Sequence, residues 1–336
     1  MATKAKRRAD LERREINYSQ ALEKINSNPK LRKLPEEDKR VIIDNVLLAP
    51  FLDLTDDFAF KKVLGHNAGI LKLLLSDILD EDIIEVAYES NEIPILAAND
   101  KHARFDVNCT LKDGRRIVVE MQNHKERDLH QRLFYYGAAL AASQIGKGQP
   151  YQGLSPTYVI AFLNFEREHL PLRKDKVVFC YSLVETETGE KYFSEPLALY
   201  LCEMSRLDKG IGELESPIEK WLYILRNCSK FAADEQNAFG DRYSELFTQA
   251  RTKHLTNDEL MEYFDSKISA YRAEMIRGAG YDDGYKEGME KGVSSKSREI
   301  AQALLAEGID VAVVSKCTGL SAAEVETLVA FPAEKQ

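Results

Sequence analysis

Asp106, Glu120 and Gln122 are the residues of this chain whose types and spacing most invite chemistry. They lie in the run ARFDVNCTLKDGRRIVVEMQN over 103–123. The stretches 105–111 and 116–121 alternate apolar and polar residues about a Lys-Asp-Gly turn, which is the pattern of a β-hairpin. A two-residue loop at Asp113-Gly114 pairs Lys112 with Arg115 and sends Asp106 and Glu120 to opposite faces. A three-residue loop, with Gly114 left-handed and a bulge beside it, pairs Leu111 with Arg115 instead. Asp106 then stands across from Glu120, and Arg104 across from Gln122.

The side chains favour the second register. One face carries Arg104, Asp106, Asn108 and Thr110 opposite Arg116, Glu120 and Gln122, with Val118 its one apolar member. The other carries Phe105, Val107, Cys109 and Leu111 opposite Ile117, Val119 and Met121, which is a core face. Two carboxylates directly opposed across a sheet repel each other. A site that keeps them holds a cation or shares a proton, and oxygen ligands of this kind suit Mg²⁺ or Mn²⁺. An ordinary charged face of a solvated hairpin is the alternative, and the pattern alone leaves both open.

The flanking sequence supplies elements to position this hairpin. Residues 55–79 read as a helix capped by Thr55 or Asp56, bent or broken at His66-Asn67-Ala68-Gly69. Asp57 and Lys61 sit at i and i+4 on one face of it, which by spacing alone fits a surface ion pair. Residues 127–145 read as a second helix. Its Arg132 is a candidate phosphate clamp, because a guanidinium forks onto phosphate oxygens, or else an exposed helical Arg without a role. Arg104, on the hairpin's polar face, is a further candidate nucleic-acid contact. Strands are expected at 83–96, 157–165 and 176–185. The order helix–strand–strand–strand–helix–strand makes an α/β sandwich with a mixed sheet.

The spacing Asp-x₁₃-Glu-x-Gln across a hairpin resembles the PD-(D/E)XK nuclease superfamily, and more closely its recombination-promoting nuclease / putative transposase branch. The motifs carrying the resemblance are Asp57-Phe58-Ala59-Phe60-Lys61, Glu120-Met121-Gln122, Arg132 to Tyr136, and Gly148-Gln149-Pro150-Tyr151. They run over roughly 51–227. The resemblance implies a restriction-endonuclease-like core and a metal-dependent DNA endonuclease. Asp106 and Glu120 would hold Mg²⁺ or Mn²⁺, Asp57 would stand at the edge of the acidic cluster, and Lys61 near the phosphate. It further implies released cuts that promote recombination or mobile-element movement. The departure is Gln122, where the superfamily usually has Lys. A non-catalytic DNA-binding or assembly protein on a nuclease scaffold is the competing expectation.

Composition narrows the classes. The chain has 336 residues, 44% hydrophobic and 30% charged, with net charge −9. That is enough apolar sequence for a core, and no run approaches the roughly 18 apolar residues of a membrane span. The basic start MATKAKRRADLERRE lacks the apolar segment of a secretory signal. Five scattered cysteines without a Cys-x-x-Cys read as reduced thiols of a cytoplasmic protein, with no zinc site. An acidic total means that DNA contact must come from local basic groups.

The expected organisation is a charged arm at 1–45, the nuclease-like core at 46–196, and a helical extension at 197–277 with helices over 197–209, 217–227 and 258–277. A Gly-rich linker follows at 278–296, then a helix-turn-helix-like tail at 297–336. The helical block offers a lid, a homo-oligomer surface or a cover on the sheet. In the tail, Ser321 and Glu324 form a capping box. Its last helix carries Glu324 and Glu326 and no Arg or Lys, which favours protein contact or packing over base reading.

Overall fold

The structure is a computed structural model that describes residues 2–93, 103–146, 148–166, 176–192, 196–307, 309–321, 323–325 and 327. The chain divides into two compact units, 1–269 and 270–336.

The first unit opens with α1 (Ala2–Ser27) and α2 (Glu36–Leu47), the latter starting after Pro35 with Glu36, Glu37 and Asp38 in its first turn. Pro before the first turn and acids within it suit a helix N-terminus. These helices do not form a solvated arm. Ala21, Ile25, Leu31 and Ile43 are fully buried in the main core. The side chains of the basic cluster Lys4, Lys6, Arg7 and Arg8 lie outside what is described.

The expected 55–79 helix is two helices, α3 (Asp57–Leu64) and α4 (Ala68–Leu79). Asp56 caps α3 by accepting from the Phe58 and Ala59 N–H groups, and Asn67 caps α4 by accepting from Ile70 N–H. The break thus lies between Gly65, which ends α3, and Asn67, whose side chain starts α4.

Next come β1 (Val86–Tyr88), β2 (Glu92–Ile93), β3 (Ala103–Arg104), β4 (Val107–Leu111) and β5 (Arg116–Gln122). Helix α5 (Leu129–Ala142) follows, then β6 (Thr157–Leu163), β7 (Val178–Ser182) and β8 (Leu197–Glu203). The main sheet has the order β1-β4-β5-β6-β8-β7, and β2 pairs with β3 separately. The meander β1-β4-β5 is antiparallel, β5-β6-β8 is parallel, and β7 returns antiparallel along β8. The expectation of a helix over 197–209 is corrected here. LALYLCE is rich in good helix formers, but between β6 and β7 it forms a central strand, since tertiary pairing overrides local propensity. The nuclease-like core therefore runs past residue 196.

Both faces of the sheet are covered, so β6 is buried along its whole length. On one face, Phe60 of α3 and Leu71 and Leu74 of α4 share a core with Ile117, Val119, Ile160, Phe162 and Cys202. On the other, Leu129 and Leu133 of α5 meet Val159, Ala161, Leu163 and Leu201. Gly137 lets α5 come this close: a Cβ there would lie 2.5 Å from Leu197 Cδ1 and 3.2 Å from Val159 Cγ2.

Helix α6 (Pro217–Asn227) starts with a Ser216–Glu219 capping box and buries Trp221, whose Nε1–H donates to Asp77 Oδ2 of α4 at 2.8 Å. Helices α7 (Ser244–Gln249), α8 (Asn257–Ala306) and α9 (Val311–Thr318) complete the chain. Residues 278–296 are helical, although Gly280, Gly284, Gly288 and Gly292 each cost about 1 kcal/mol there against Ala.

The second unit has its own small core of Ala301, Val314 and Val325. Ser321 and Glu324 form the expected reciprocal cap, with Glu324 Oε2 accepting from Ser321 N–H at 2.9 Å and Ser321 Oγ from Glu324 N–H at 3.3 Å.

Candidate active site

The hairpin adopts the three-residue loop. Leu111 N–H donates to Arg115 O at 2.9 Å, Gly114 sits at φ +90°, and Val107 pairs with Val119. Only glycine takes such a φ without strain. Asp106 is thereby brought opposite Glu120, one residue before β4 begins.

The chain bends at Asp106, and the bend changes what lies on each side. Arg104 does not face Gln122: it belongs to β3, pairs with Glu92 across the short second sheet, and its side chain is 74% exposed. Phe105 does not share the core of Val107 and Cys109. It packs with Val118 and Leu140 on the opposite face, its ring edge-on to Tyr136 at 5.2 Å. The polar face of the hairpin is therefore roofed by α5, which excludes the reading of it as an ordinary solvated face. Val118 is fully buried, Asn108 is 2% exposed and Glu120 4%.

The Glu120 carboxyl holds the Asp106 backbone, and the Asp106 carboxyl holds that of Met121, the residue after Glu120. Asp106 N–H donates to Glu120 Oε1 at 3.1 Å, and Met121 N–H donates to Asp106 Oδ2 at 2.9 Å. Lys61 approaches from α3, with Nζ 2.6 Å from Asp57 Oδ1 and 3.4 Å from Asp106 Oδ1. Capping by Asp56 makes this possible, since it places Asp57 in the first turn and Lys61 one turn later on the same side. The loop before α3 is fastened to the end of β5 as well, because Asn123 Nδ2–H donates to Thr55 O.

On the other flank, Gln122 Nε2–H donates to Glu120 Oε2 at 3.3 Å, and Arg132 Nη2–H to Gln122 Oε1 at 2.6 Å. Arg132 Nη1 also pairs with Glu126. Arg132 is thus not an exposed helical residue. Its Nε is buried and has no partner among the described residues. Asp57, Lys61, Asp106, Glu120, Gln122 and Arg132 make one connected cluster, and Arg104 stands apart from it. The Gln122–Arg132 contact and the Asn123–Thr55 tie were beyond pattern reading. They join groups, one a backbone carbonyl, whose spacing in sequence carries no period.

Burial and mutual repulsion set the electrostatics. Burial pushes the Glu120 carboxyl up to about 8, and the Asp106 charge adds to that. Burial also raises Asp106, against the opposing pull of the Met121 N–H and the Lys61 ammonium. Lys61 is raised by its pairing with Asp57 and Asp106, although burial works against it. An acid pair that ionises reluctantly is the state expected where a positive charge would be bound with gain.

A mixed sheet with a βαβ unit, an acid pair on its hairpin and a Glu-x-Gln on the second strand is the architecture of a restriction-endonuclease-like nuclease core. The chain belongs to the family described as PD-(D/E)XK nuclease family transposase, whose model matches residues 54–276. A second model, the C-terminal HTH domain of the Rpn/YhgA-like nuclease family, matches residues 295–329. No curated protein and no solved structure matches the chain. The six clustered residues all fall inside the first match, and Val311–Thr318 and the Ser321 cap inside the second. No helix among the described residues is long and apolar enough to cross a membrane.

Proposed function

We propose that the protein is a divalent-metal-dependent endonuclease that hydrolyses DNA phosphodiester bonds, its cuts promoting recombination or the movement of mobile elements. The observation that carries this reading is the mutual seating of a buried Glu120 and a half-buried Asp106, each carboxyl bonded to backbone at or beside the other. Membership in a nuclease and transposase family supports it, and an HTH match supports DNA as the partner.

Asp106 and Glu120 would hold the ion, Mg²⁺ or Mn²⁺. Among the described residues no group of three or more His, Cys, Asp or Glu side chains could enclose a metal. A hard ion on two carboxylates fits that donor set, since Mg²⁺ characteristically takes one or two carboxylates and fills its other positions with water and phosphate oxygen. When bound, the ion would supply charge neutralisation at the scissile phosphate and acidify an attacking water.

The chain's own residues do the rest. Gln122 has a second N–H and a second lone pair beyond its bonds to Glu120 and Arg132, and with them it positions the water. Lys61 stabilises negative charge growing on the phosphate oxygens, with Asp57 steering its ammonium. Arg132 orients Gln122 in the geometry held here, and would reach phosphate only by releasing Glu126. Arg104, exposed at the rim of the hairpin, would contact the DNA backbone.

Gln122 in the usual Lys position is the observation that favours the second reading, a non-catalytic DNA-binding protein. Lys61 tips the choice, because it brings an ammonium to 3.4 Å from Asp106 by another route.

The test is cleavage of supercoiled plasmid with Mg²⁺ or Mn²⁺. Nicking or linearisation that needs the ion and disappears in Asp106→Ala supports the proposal. Cleavage undiminished in Asp106→Ala, or DNA binding without cleavage, contradicts it.

A further inference from the structure

We infer that Asn91, in the turn between β1 and β2, is a positioning residue that shapes the backbone at Asp106 for binding a divalent cation. The inference rests on the nuclease reading for its biological meaning, but its geometry stands independently. At Asp106 the chain has left β3 and not yet entered β4, so strand pairing does not fix its backbone there. Asn91 takes the place of a strand. Its Nδ2–H donates to Asp106 O at 3.1 Å, its Oδ1 accepts from Asn108 N–H at 3.0 Å, and its own carbonyl accepts from Phe105 N–H at 2.8 Å.

These bonds grip the residues before, at and after Asp106. The amide orientation follows from its partners, since the reverse would set oxygen against the Asp106 carbonyl and N–H against the Asn108 N–H. Asn108 returns the hold by donating from Nδ2 to Ser90 O at 2.7 Å, and Glu89 N–H donates to Asn108 O at 2.9 Å. The turn and the start of β4 are thus one clamped unit.

The consequence falls on the acid pair. With the Asp106 carbonyl held by Asn91, the Asp106 N–H donates to Glu120 Oε1 and the Asp106 carboxylate accepts from Met121 N–H. The same bend carries Phe105 across to pack on Val118 and Leu140, which closes the roof over Glu120. Without the Asn91 amide, Asp106 can relax toward regular strand geometry, and its carboxylate leaves the position that serves a cation jointly with Glu120. Residues that orient ligands in this way typically change metal affinity by about 10–100-fold when removed.

The experiment is Mn²⁺ titration by calorimetry on the full chain, with plasmid cleavage measured in parallel, for wild type, Asn91→Ala, Asn91→Asp and Ser90→Ala. Asn91→Asp keeps the acceptor for Asn108 N–H but loses the donor to Asp106. Ser90→Ala alters the same turn, where among the described residues the hydroxyl bonds the Glu92 backbone alone. The expected result is Mn²⁺ affinity at least about tenfold weaker in both Asn91 variants and within about twofold of wild type in Ser90→Ala. Unchanged affinity in a folded Asn91 variant overturns the inference, as does an equal loss in Ser90→Ala, which would mean general softening of the turn. No Mn²⁺ binding by wild type overturns it too. Mn²⁺ binding without cleavage by wild type defeats the nuclease reading instead, and the affinities still decide the role of Asn91.

Discussion

Arg132 Nη2 donates to Gln122 Oε1 at 2.6 Å, and this contact decides which end of the Gln122 amide faces Glu120. With oxygen committed to the guanidinium, Nε2 is the atom presented to Glu120 Oε2. The residue in the usual Lys position is therefore oriented by a cation although it carries none. Lysine at 132 has no planar fork with which to hold Glu126 and Gln122 together. Arg132→Lys is expected to lower kcat for plasmid cleavage by about tenfold and Arg132→Ala by about a hundredfold, with KM for DNA little changed. A rise in KM at constant kcat would instead assign Arg132 to phosphate binding.

Lys61 is the ammonium within reach of the acid pair, 3.4 Å from Asp106 Oδ1. Lys61→Met is expected to reduce single-turnover cleavage by about 10²–10³-fold, the range for removing one donor that meets developing charge. Asp57→Asn should cost less, about tenfold, because it removes only the partner that steers Lys61. Equal rates for wild type and Lys61→Met would show that the ammonium serves the fold alone.

Much of this arrangement was legible in the sequence, for a local reason. Gly114 after Lys112-Asp113 permits the left-handed residue that sets a three-residue loop, and the loop length fixes every pair up the hairpin to Asp106 and Glu120. Asp56 was readable as a candidate cap, and the stretch from His66 to Gly69 as a bend or break. Other features depend on partners distant in sequence. The bend at Asp106, which removes Arg104 from Gln122 and sends Phe105 to the other face, is held by the side chain of Asn91. Strand β8 reads as helix because Leu and Ala favour helix, and only its place between β6 and β7 makes it extended. The burial of Glu120 follows from α5 lying over β5, which alternation along the hairpin does not reveal.

The raised Glu120 carboxyl gives a pH signature in the metal-free protein. A carboxyl raised on folding keeps its proton in the folded chain at pH values where the unfolded chain has lost it. Its contribution to stability is complete below the ordinary value of 4.5 and is lost as pH rises through about 8. Tm without divalent ion should therefore fall between about pH 5 and pH 9, and Glu120→Gln should flatten this slope. Added Mg²⁺ should restore stability most at the alkaline end, where both carboxylates are ionised. An identical slope in Glu120→Gln would place the titrating group elsewhere.

Gly137 tests the packing that roofs the site. A Cβ there meets Leu197 Cδ1 at 2.5 Å and Val159 Cγ2 at 3.2 Å. Gly137→Val should lift α5 from β6 and β8 and destabilise the protein by about 1–3 kcal/mol in urea unfolding. Gly137→Ala should cost less, because the Leu197 side chain can turn away and Ala favours the helix by about 1 kcal/mol. A neutral Gly137→Val would mean that α5 does not pack this tightly.

The most direct measurement is a crystal of the wild-type chain soaked in Mn²⁺, with the metal located by its anomalous signal. The account predicts one Mn²⁺ held by Asp106 and Glu120, and no such ion in Asp106→Ala. Ordered Mn²⁺ elsewhere, or an acid pair that stays protonated and metal-free at saturating Mn²⁺ and alkaline pH, would contradict it.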